Sequence, residues 1–331
     1  MLLRRMAGKL HNFEPTLANK RSKQAVTKVL NEGKTKRIVA TEHPGEVELQ
    51  AVDRLTGGDA AKVADISDIG RHKTRQAANV FTLLNNAGVN TSFIEQKSET
   101  SLLCRRCNML ALEFVVRRYS FGSFLKRLKA GDPASQLGPD GRPHRFDAPL
   151  FELFHKESAV VPPLVDAPMQ MDEGEARQRF LVDGQWAEGV YTDPYVDFSS
   201  DPTVWGIYSA KAPVEGTPLL TRSPDLAADE LRGVIDNIVI PCFETLERAW
   251  AKVETAHGPV QLVDMKVELG RDVETGALLL ADVIDNDSWR VWPGADPKNQ
   301  LDKQAFRDGE DLAMVSEKYE LVSRLTESFR G

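Results

Sequence analysis

The sequence predicts an α+β fold, and three observations carry that reading. Between Val26 and Phe114 most residues fall into short runs rich in β-branched and aromatic side chains, with one helix-like stretch among them. Near Ser120 a turn of small residues opens a second unit. Beyond Leu262 a charged strand and an apolar strand flank a glycine turn, the pattern of an antiparallel hairpin. Strands, one crossing helix and more strands describe an α+β arrangement.

The elements follow in order. Residues 1–24 hold Arg4, Arg5, Lys9, Lys20, Arg21 and Lys23 against Glu14 alone, so this tail is +5 and the rest of the chain carries −12 of the net −7. An acidic body lacks the basic face of a general nucleic-acid binder. The tail is expected to be an ordinary terminus and not a transit peptide, because it carries little Ser and its apolar start stops at Arg4. Val29-Leu30 and Arg37-Ile38-Val39 flank a turn at Gly33, and strands follow at 47–52, 91–94 and 109–116. Between Thr74 and Ala87 the residues Ala77, Val80, Phe81 and Leu84 recur at helical spacing, and Gly88 supplies the stop. Residues 157–222 are punctuated by prolines without a sustained period, which reads as an insertion. Ser223-Pro224 is expected to cap a helix whose apolar face runs from Leu231 to Val253, with Pro241 kinking or dividing it.

The expected organisation is a tail over 1–24, an N-terminal lobe over 25–115 and a C-terminal lobe over 116–331 that carries the insertion. With 331 residues, 41% hydrophobic and 27% charged, the chain can bury a sizeable core. No apolar run approaches the roughly 20 residues of a bilayer span, so no membrane partner is expected. Three cysteines are too few for a disulfide framework, which favours a reducing compartment and an expected cytoplasmic location. Cys104 and Cys107 are expected to be unbridged thiols.

Candidate chemistry begins at Glu32–Arg37, EGKTKR. A phosphate loop of the usual kind would need glycine where Lys28 stands and a helix where Ile38-Val39 follow. Two readings remain: a glycine turn that holds Lys34 and Lys36 near a polyphosphate, or a solvated lysine-rich hairpin. A second glycine turn, Gly57-Gly58-Asp59, is equally open.

In LVDMKVELG, alternation puts Val263, Met265 and Val267 on one face and Asp264, Lys266 and Glu268 on the other. If the hairpin is symmetric about Thr275, Glu268 faces Asp282 on the returning strand. Like charges opposite one another destabilise a sheet unless a cation lies between them, and Mg²⁺ suits two carboxylates. The alternatives are an acidic face open to water, or a bulge that shifts the register by one. Arg117, or its neighbour Arg118, ends the strand MLALEFVVRR before the small-residue turn Ser120–Ser123, and Arg290 lies just beyond Asp287. Each suits an anion, or is a plain surface arginine.

Taken together, the strings EGKTKR (32–37), LTGGDAAK (55–62), LLNNAGVNTSF (83–93), EFVVRRYSFGSFLKR (113–127), LVDMKVELG (262–270), LADVIDNDSWRVWP (280–293) and DKQAFRD (302–308) resemble the SAICAR synthetases of purine biosynthesis. The similarity is strongest to the synthetase half of the animal bifunctional enzyme. The resemblance implies a two-lobed α+β fold with antiparallel sheets and an ATP-grasp-like nucleotide cleft. It implies a ligase that joins carboxyaminoimidazole ribonucleotide to L-aspartate with ATP and Mg²⁺. By the same resemblance Lys34 and Lys36 would contact ATP phosphates, Met109 and Glu113 would lie on the nucleotide side, and Glu268 and Asp282 would hold Mg²⁺. Arg117, Ser123 and Arg290 would bind ribonucleotide anions. Asp264 and Lys266 would face the imidazole and phosphates, and Asp59 and Asp287 would line the substrate side. Lys34, Lys266 and Arg290 would serve catalysis, with Lys303 and Arg307 in support. A homo-oligomer is possible. The sequence departs from the family where Lys156-Glu157-Ser158 replaces KDD and where 157–222 separates Lys156 from Asp193-Pro194. A small-molecule kinase is the rival enzyme class, and a non-catalytic nucleotide-binding module the third.

Overall fold

The computed structural model describes residues 28–57 and 62–330. The basic tail and Asp59 lie outside the described residues. Antiparallel sheets and helices segregate as an α+β fold requires.

A five-stranded antiparallel sheet runs in the order Val29–Glu32, Lys36–Ala40, Glu46–Ala51, Ser101–Arg105, Phe93–Ser98. The hairpin at Gly33 pairs Glu32 with Arg37, as the strand signals on either side of EGKTKR require. The helix Ile69–Asn86 lies against this sheet and buries Ile69, Lys73, Ala77, Val80, Phe81 and Leu84 on one stripe. It begins at Ile69, five residues before the apolar spacing announces it, and stops at Gly88, whose φ of +80° only glycine adopts readily.

The second sheet has eight strands. Leu112–Tyr119 is paired on one edge with Arg145–His155 and on the other with Gly258–Val267, and Trp289–Pro293 lies beside the latter. A three-stranded sheet of Cys107–Met109, Leu269–Asp272 and Leu278–Leu280 stands between the large sheets. Ser92 N–H donates to Leu280 O, joining it to the first sheet. One hydrophobic cluster runs from Val47 and Phe81 through Phe114 to Leu262 and Trp250, so the sheets share a core.

The helical run after the insertion starts at Ala228, five residues after Ser223, because Ser223-Pro224 lies in an irregular segment and caps nothing. Pro241 does divide it. Ala228–Val234 is α-helical, Ile235–Val239 forms a π-turn, and Ile240–Trp250 resumes with Pro241 in its first turn, where no N–H is required.

Residues 157–222 contain short strands too brief to show a period. Tyr195–Asp197, Trp205–Tyr208 and Leu220–Arg222 extend the eight-stranded sheet. Ser158–Val160, Met169–Met171 and Val190–Tyr191 form a sheet of their own, and Val160, Met171 and Ala176 make a small separate core. The two ends of this segment are clasped: buried His155 lies 3.1 Å from Asp225 Oδ2 through Nε2, and Arg222 donates to Asp225 Oδ1.

Candidate active site

A cavity of about 320 Å³ opens on the eight-stranded sheet. Alternation along Leu112–Tyr119 sends Phe114 and Val116 into the core and Glu113, Val115 and Arg117 to the cavity wall. Asp264 and Lys266 come from the adjacent strand, Arg290 from the next, and Ser123, Asp287, Lys303 and Arg307 from the connecting segments. Sequence reasoning had named each of these but Val115, and the fold brings them to one wall.

Two details of the charged strand differ from the sequence expectation. The pairing with Trp289–Pro293 slips between Leu262 and Asp264, so the strand carries a bulge there. Val263 therefore packs with Tyr119 and Trp292, apart from Met265 and Val267 in the main core. One extra residue at a bulge reverses the alternation, which no count of residues reveals. In the hairpin, Leu269 pairs with Leu280 and Arg271 with Leu278, and Ala281 N–H donates to Glu268 O. The axis thus falls between Glu274 and Thr275, and Glu268 faces Ala281 instead of Asp282. The chain leaves the strand at Leu280, and Asp282 instead meets the Lys36 ammonium.

Lys36 is the cation between the two carboxylates. It contacts Asp282, and Glu268 acts on it electrostatically; burial still pulls its pKa down to about 8. Burial pushes the Glu268 carboxyl up, but the ammonium groups of Lys156, at 2.5 Å, Lys266 and Lys36 hold it below its usual range. Lys34 is half-exposed and bonds Glu173 at 2.9 Å. Met109 is exposed on its strand beside Gly270, away from the cavity wall, whereas Glu113 accepts from Lys266 at 2.5 Å within it.

A buried charge network supports the wall. Arg117 donates to Glu152 at 2.5 Å and to Asp264 at 2.7 Å, Arg127 donates to Glu152, and Arg290 donates to Asp264. Three guanidinium groups share Glu152 and Asp264, and Arg290 also lies in the field of buried Asp302. Gly122, at φ +63°, lets Arg290 pass: a Cβ there would stand 2.9 Å from its Nη2.

Sequence reasoning missed Lys73, Glu152, Asp302 and Tyr319. Lys73 had a signal, since it stands on the apolar stripe of its helix. The wall also takes Thr192, Asp193, Ala210 and Lys211 from the insertion.

Asp302 carries a pH prediction. It is 1% exposed and accepts from Val291 and Gln304 N–H groups, yet burial pushes its pKa up to about 6 despite nearby Arg290. A folded-state pKa raised above the unfolded value of about 3.9 means that folding binds a proton. The associated stability is fully present below about pH 4 and is lost as pH rises through 6, on the order of 2–3 kcal/mol. The stability difference between the parent chain and Asp302→Asn, read from urea midpoints, is expected to shift against the parent from pH 4.5 to 7.5. A difference constant with pH would refute the assignment.

A family model described as SAICAR synthetase matches residues 29–174 and 222–325. The chain belongs to the SAICAR synthetase family. It is 34% identical over 306 residues to the phosphoribosylaminoimidazole-succinocarboxamide synthase of Chloroflexus aggregans, covering 90% of this chain and 95% of the relative. The bifunctional carboxylase/synthetase of Mus musculus is 32% identical over 90% of this chain and 58% of its own length. Among solved structures, a SAICAR synthetase in complex with ADP aligns with a TM-score of 0.60 at 24% identity, over 90% of this chain and 97% of that one. The enzyme from Ehrlichia chaffeensis gives 0.61 at 23%, over 91% and 99%. The family match leaves out 175–221, within the stretch of prolines and short strands.

Proposed function

We propose that this chain is an ATP-dependent amide ligase that joins carboxyaminoimidazole ribonucleotide to L-aspartate, releasing ADP and phosphate, in purine biosynthesis. The observation that carries the reading is the pair of guanidinium groups, Arg117 and Arg290, held together on the cavity wall by Asp264, all three from the family's own strings. Such a pair suits the anionic groups of a ribonucleotide.

A carboxylate is a poor acyl donor until its oxygen carries a good leaving group. In the proposed reaction a substrate carboxylate oxygen attacks the γ-phosphorus of ATP, and the bond to ADP breaks. The aspartate α-amine then attacks the acyl carbon, phosphate departs with the bonding pair, and the amine gives up a proton. Lys34 and Lys36, on the turn at Gly33, neutralise phosphate charge, with ATP in an ATP-grasp-like cleft. Arg117 and Arg290 hold the ribonucleotide anions, with Ser123 beside them. Asp264 fixes both guanidinium groups, and Lys266 faces the reacting carboxylate. Met109 and Glu113 serve the nucleotide side, and Asp59 and Asp287 the substrate side. Positioning supplies most of the rate.

Glu268 and Asp282 fit Mg²⁺. Both donors are carboxylate oxygens, and both already lie in the field of one ammonium. No group of three or more ligating side chains occurs among the described residues, and Mg²⁺ commonly takes one or two carboxylates and fills its shell with water and phosphate. Bound there, the ion would neutralise charge on the ATP phosphates. The free thiols of Cys104, Cys107 and Cys242 suit a reducing cytoplasm.

The reaction tests the reading. With ribonucleotide, ATP, Mg²⁺ and L-aspartate, ADP and phosphate are expected in equal amounts with a succinocarboxamide product. Without aspartate, only a trace of ADP is expected, as acyl phosphate hydrolyses. Full-rate ADP formation without aspartate, with no free phosphate, would make the protein a kinase.

A further inference from the structure

Three groups converge on the Asp287 carboxylate. Lys73 Nζ donates to Oδ2 at 2.7 Å, the Tyr319 hydroxyl donates to Oδ1 at 2.7 Å, and Lys303 Nζ lies 3.3 Å from Oδ2. Asp287 and Lys303 line the cavity, whereas Lys73 and Tyr319 reach Asp287 from behind. They belong to Ile69–Asn86 and Leu312–Leu325, two helices packed against each other.

Both are deeply buried, Lys73 at 4% and Tyr319 at 0% exposed. Lys73 occupies the apolar stripe of its helix, where an uncharged side chain of similar size would serve stability as well or better. Its ammonium therefore asks for a reason other than packing. The carboxylates it serves supply one: Asp285, 1% exposed, accepts the Asp287 N–H at 2.8 Å, so Lys73 stands against Asp287 on the cavity wall and buried Asp285 behind it. Burial pushes the Asp287 carboxyl up, but the Lys73 and Lys303 ammonium groups outweigh it and keep the group ionised. A carboxylate anchored through one oxygen can still turn about its Cβ–Cγ bond. Anchored through both, it cannot.

We propose that Lys73 and Tyr319 are positioning residues that fix the Asp287 carboxylate in one orientation at the cavity wall, where it accepts an N–H or O–H of bound substrate. This rests on the reading above that Asp287 faces substrate. Neither residue lines this cavity: Tyr319 acts on it through Asp287, and Lys73 through Asp287 and its neighbour Asp285.

Steady-state kinetics on the full chain tests it, with ribonucleotide, aspartate and ATP varied separately. The variants are Asp287→Asn, Lys73→Met, Tyr319→Phe and the double variant of Tyr319→Phe with Asp287→Asn. Loss of one hydrogen bond to a charged group predicts a roughly tenfold or greater fall in kcat/KM for the ribonucleotide or for L-aspartate in Tyr319→Phe, and more in Lys73→Met. KM for ATP should stay within about twofold in Tyr319→Phe. Because Tyr319 acts through Asp287, Tyr319→Phe combined with Asp287→Asn should not fall below Asp287→Asn itself. Tyr319→Phe keeps the ring and loses only the hydroxyl, so it decides the matter even if Lys73→Met fails to fold. An impaired Asp287→Asn with normal Tyr319→Phe and Lys73→Met, or losses that multiply in the Tyr319→Phe double variant, would overturn the positioning role and leave the function intact. Parent-like kinetics in Asp287→Asn would overturn the substrate-facing reading and this inference with it.

Discussion

Asp282→Asn is expected to cut turnover by about 100- to 1,000-fold while the melting temperature moves by only a few degrees. The substitution keeps the side-chain volume and removes the charge that, with Glu268, would face a divalent ion. Charge stabilisation by a bound metal is worth several kcal/mol, and each 1.36 kcal/mol is about tenfold in rate. Stability changes little because Asp282 is a quarter exposed, and a partly solvated ion pair contributes roughly 0–1 kcal/mol. The sequence alone sets the two carboxylates opposite each other, where removing one would relieve repulsion. With Lys36 in contact with Asp282 and in the field of Glu268, a slight loss is expected instead. Turnover assays across a Mg²⁺ titration, with thermal melts alongside, check both halves. Unchanged turnover at ordinary Mg²⁺ would reject Asp282 as a metal ligand.

Glu152→Gln should produce the largest loss of stability, about 3–5 kcal/mol, although Glu152 touches no proposed substrate atom. Glu152 is 4% exposed and serves Arg117 through one oxygen and Arg127 through the other. Without it, Arg127 loses its carboxylate partner, and Arg117 is left to share Asp264 with Arg290. Breaking a buried pair from one side leaves an uncompensated charge in a poorly solvated place. Urea unfolding at constant ionic strength measures the loss, and a change below 1 kcal/mol would show that water or backbone carbonyls replace the carboxylate.

Much of the fold was legible because its signals are local. The strand–turn–strand at EGKTKR, the stop at Gly88 and the break at Pro241 each follow from residues within a few positions. The cavity wall was legible through alternation, which sends Glu113 and Arg117 one way and Phe114 and Val116 the other. What escaped depends on distant partners or on one extra residue. The bulge beside Val263 and the hairpin axis between Glu274 and Thr275 each change a count by one, and no composition marks them. Tyr319 and Asp302 acquire their roles only when the C-terminal helix and the segment before it fold back onto the cavity. Lys73 was readable as an anomaly, a cation on an apolar stripe, but not its partner 214 positions away. The short strands between 158 and 222 hold two to four residues each, fewer than periodicity needs.

The clasp of His155, Arg222 and Asp225 bears on how this fold can change over evolutionary time. A segment whose ends already meet behaves as a closed loop, and the entropy of closing a flexible loop rises only with the logarithm of its length, about 0.6 kcal/mol per doubling. Growth at this neck is therefore nearly neutral for the body of the protein. Part of this segment folds around a small core of its own, Val196, Trp205 and Ile207 join the main core, and Asp193 and Lys211 are lent to the cavity wall. Length between His155 and Arg222 is a character that can drift, while the residues that tie the neck cannot drift with it.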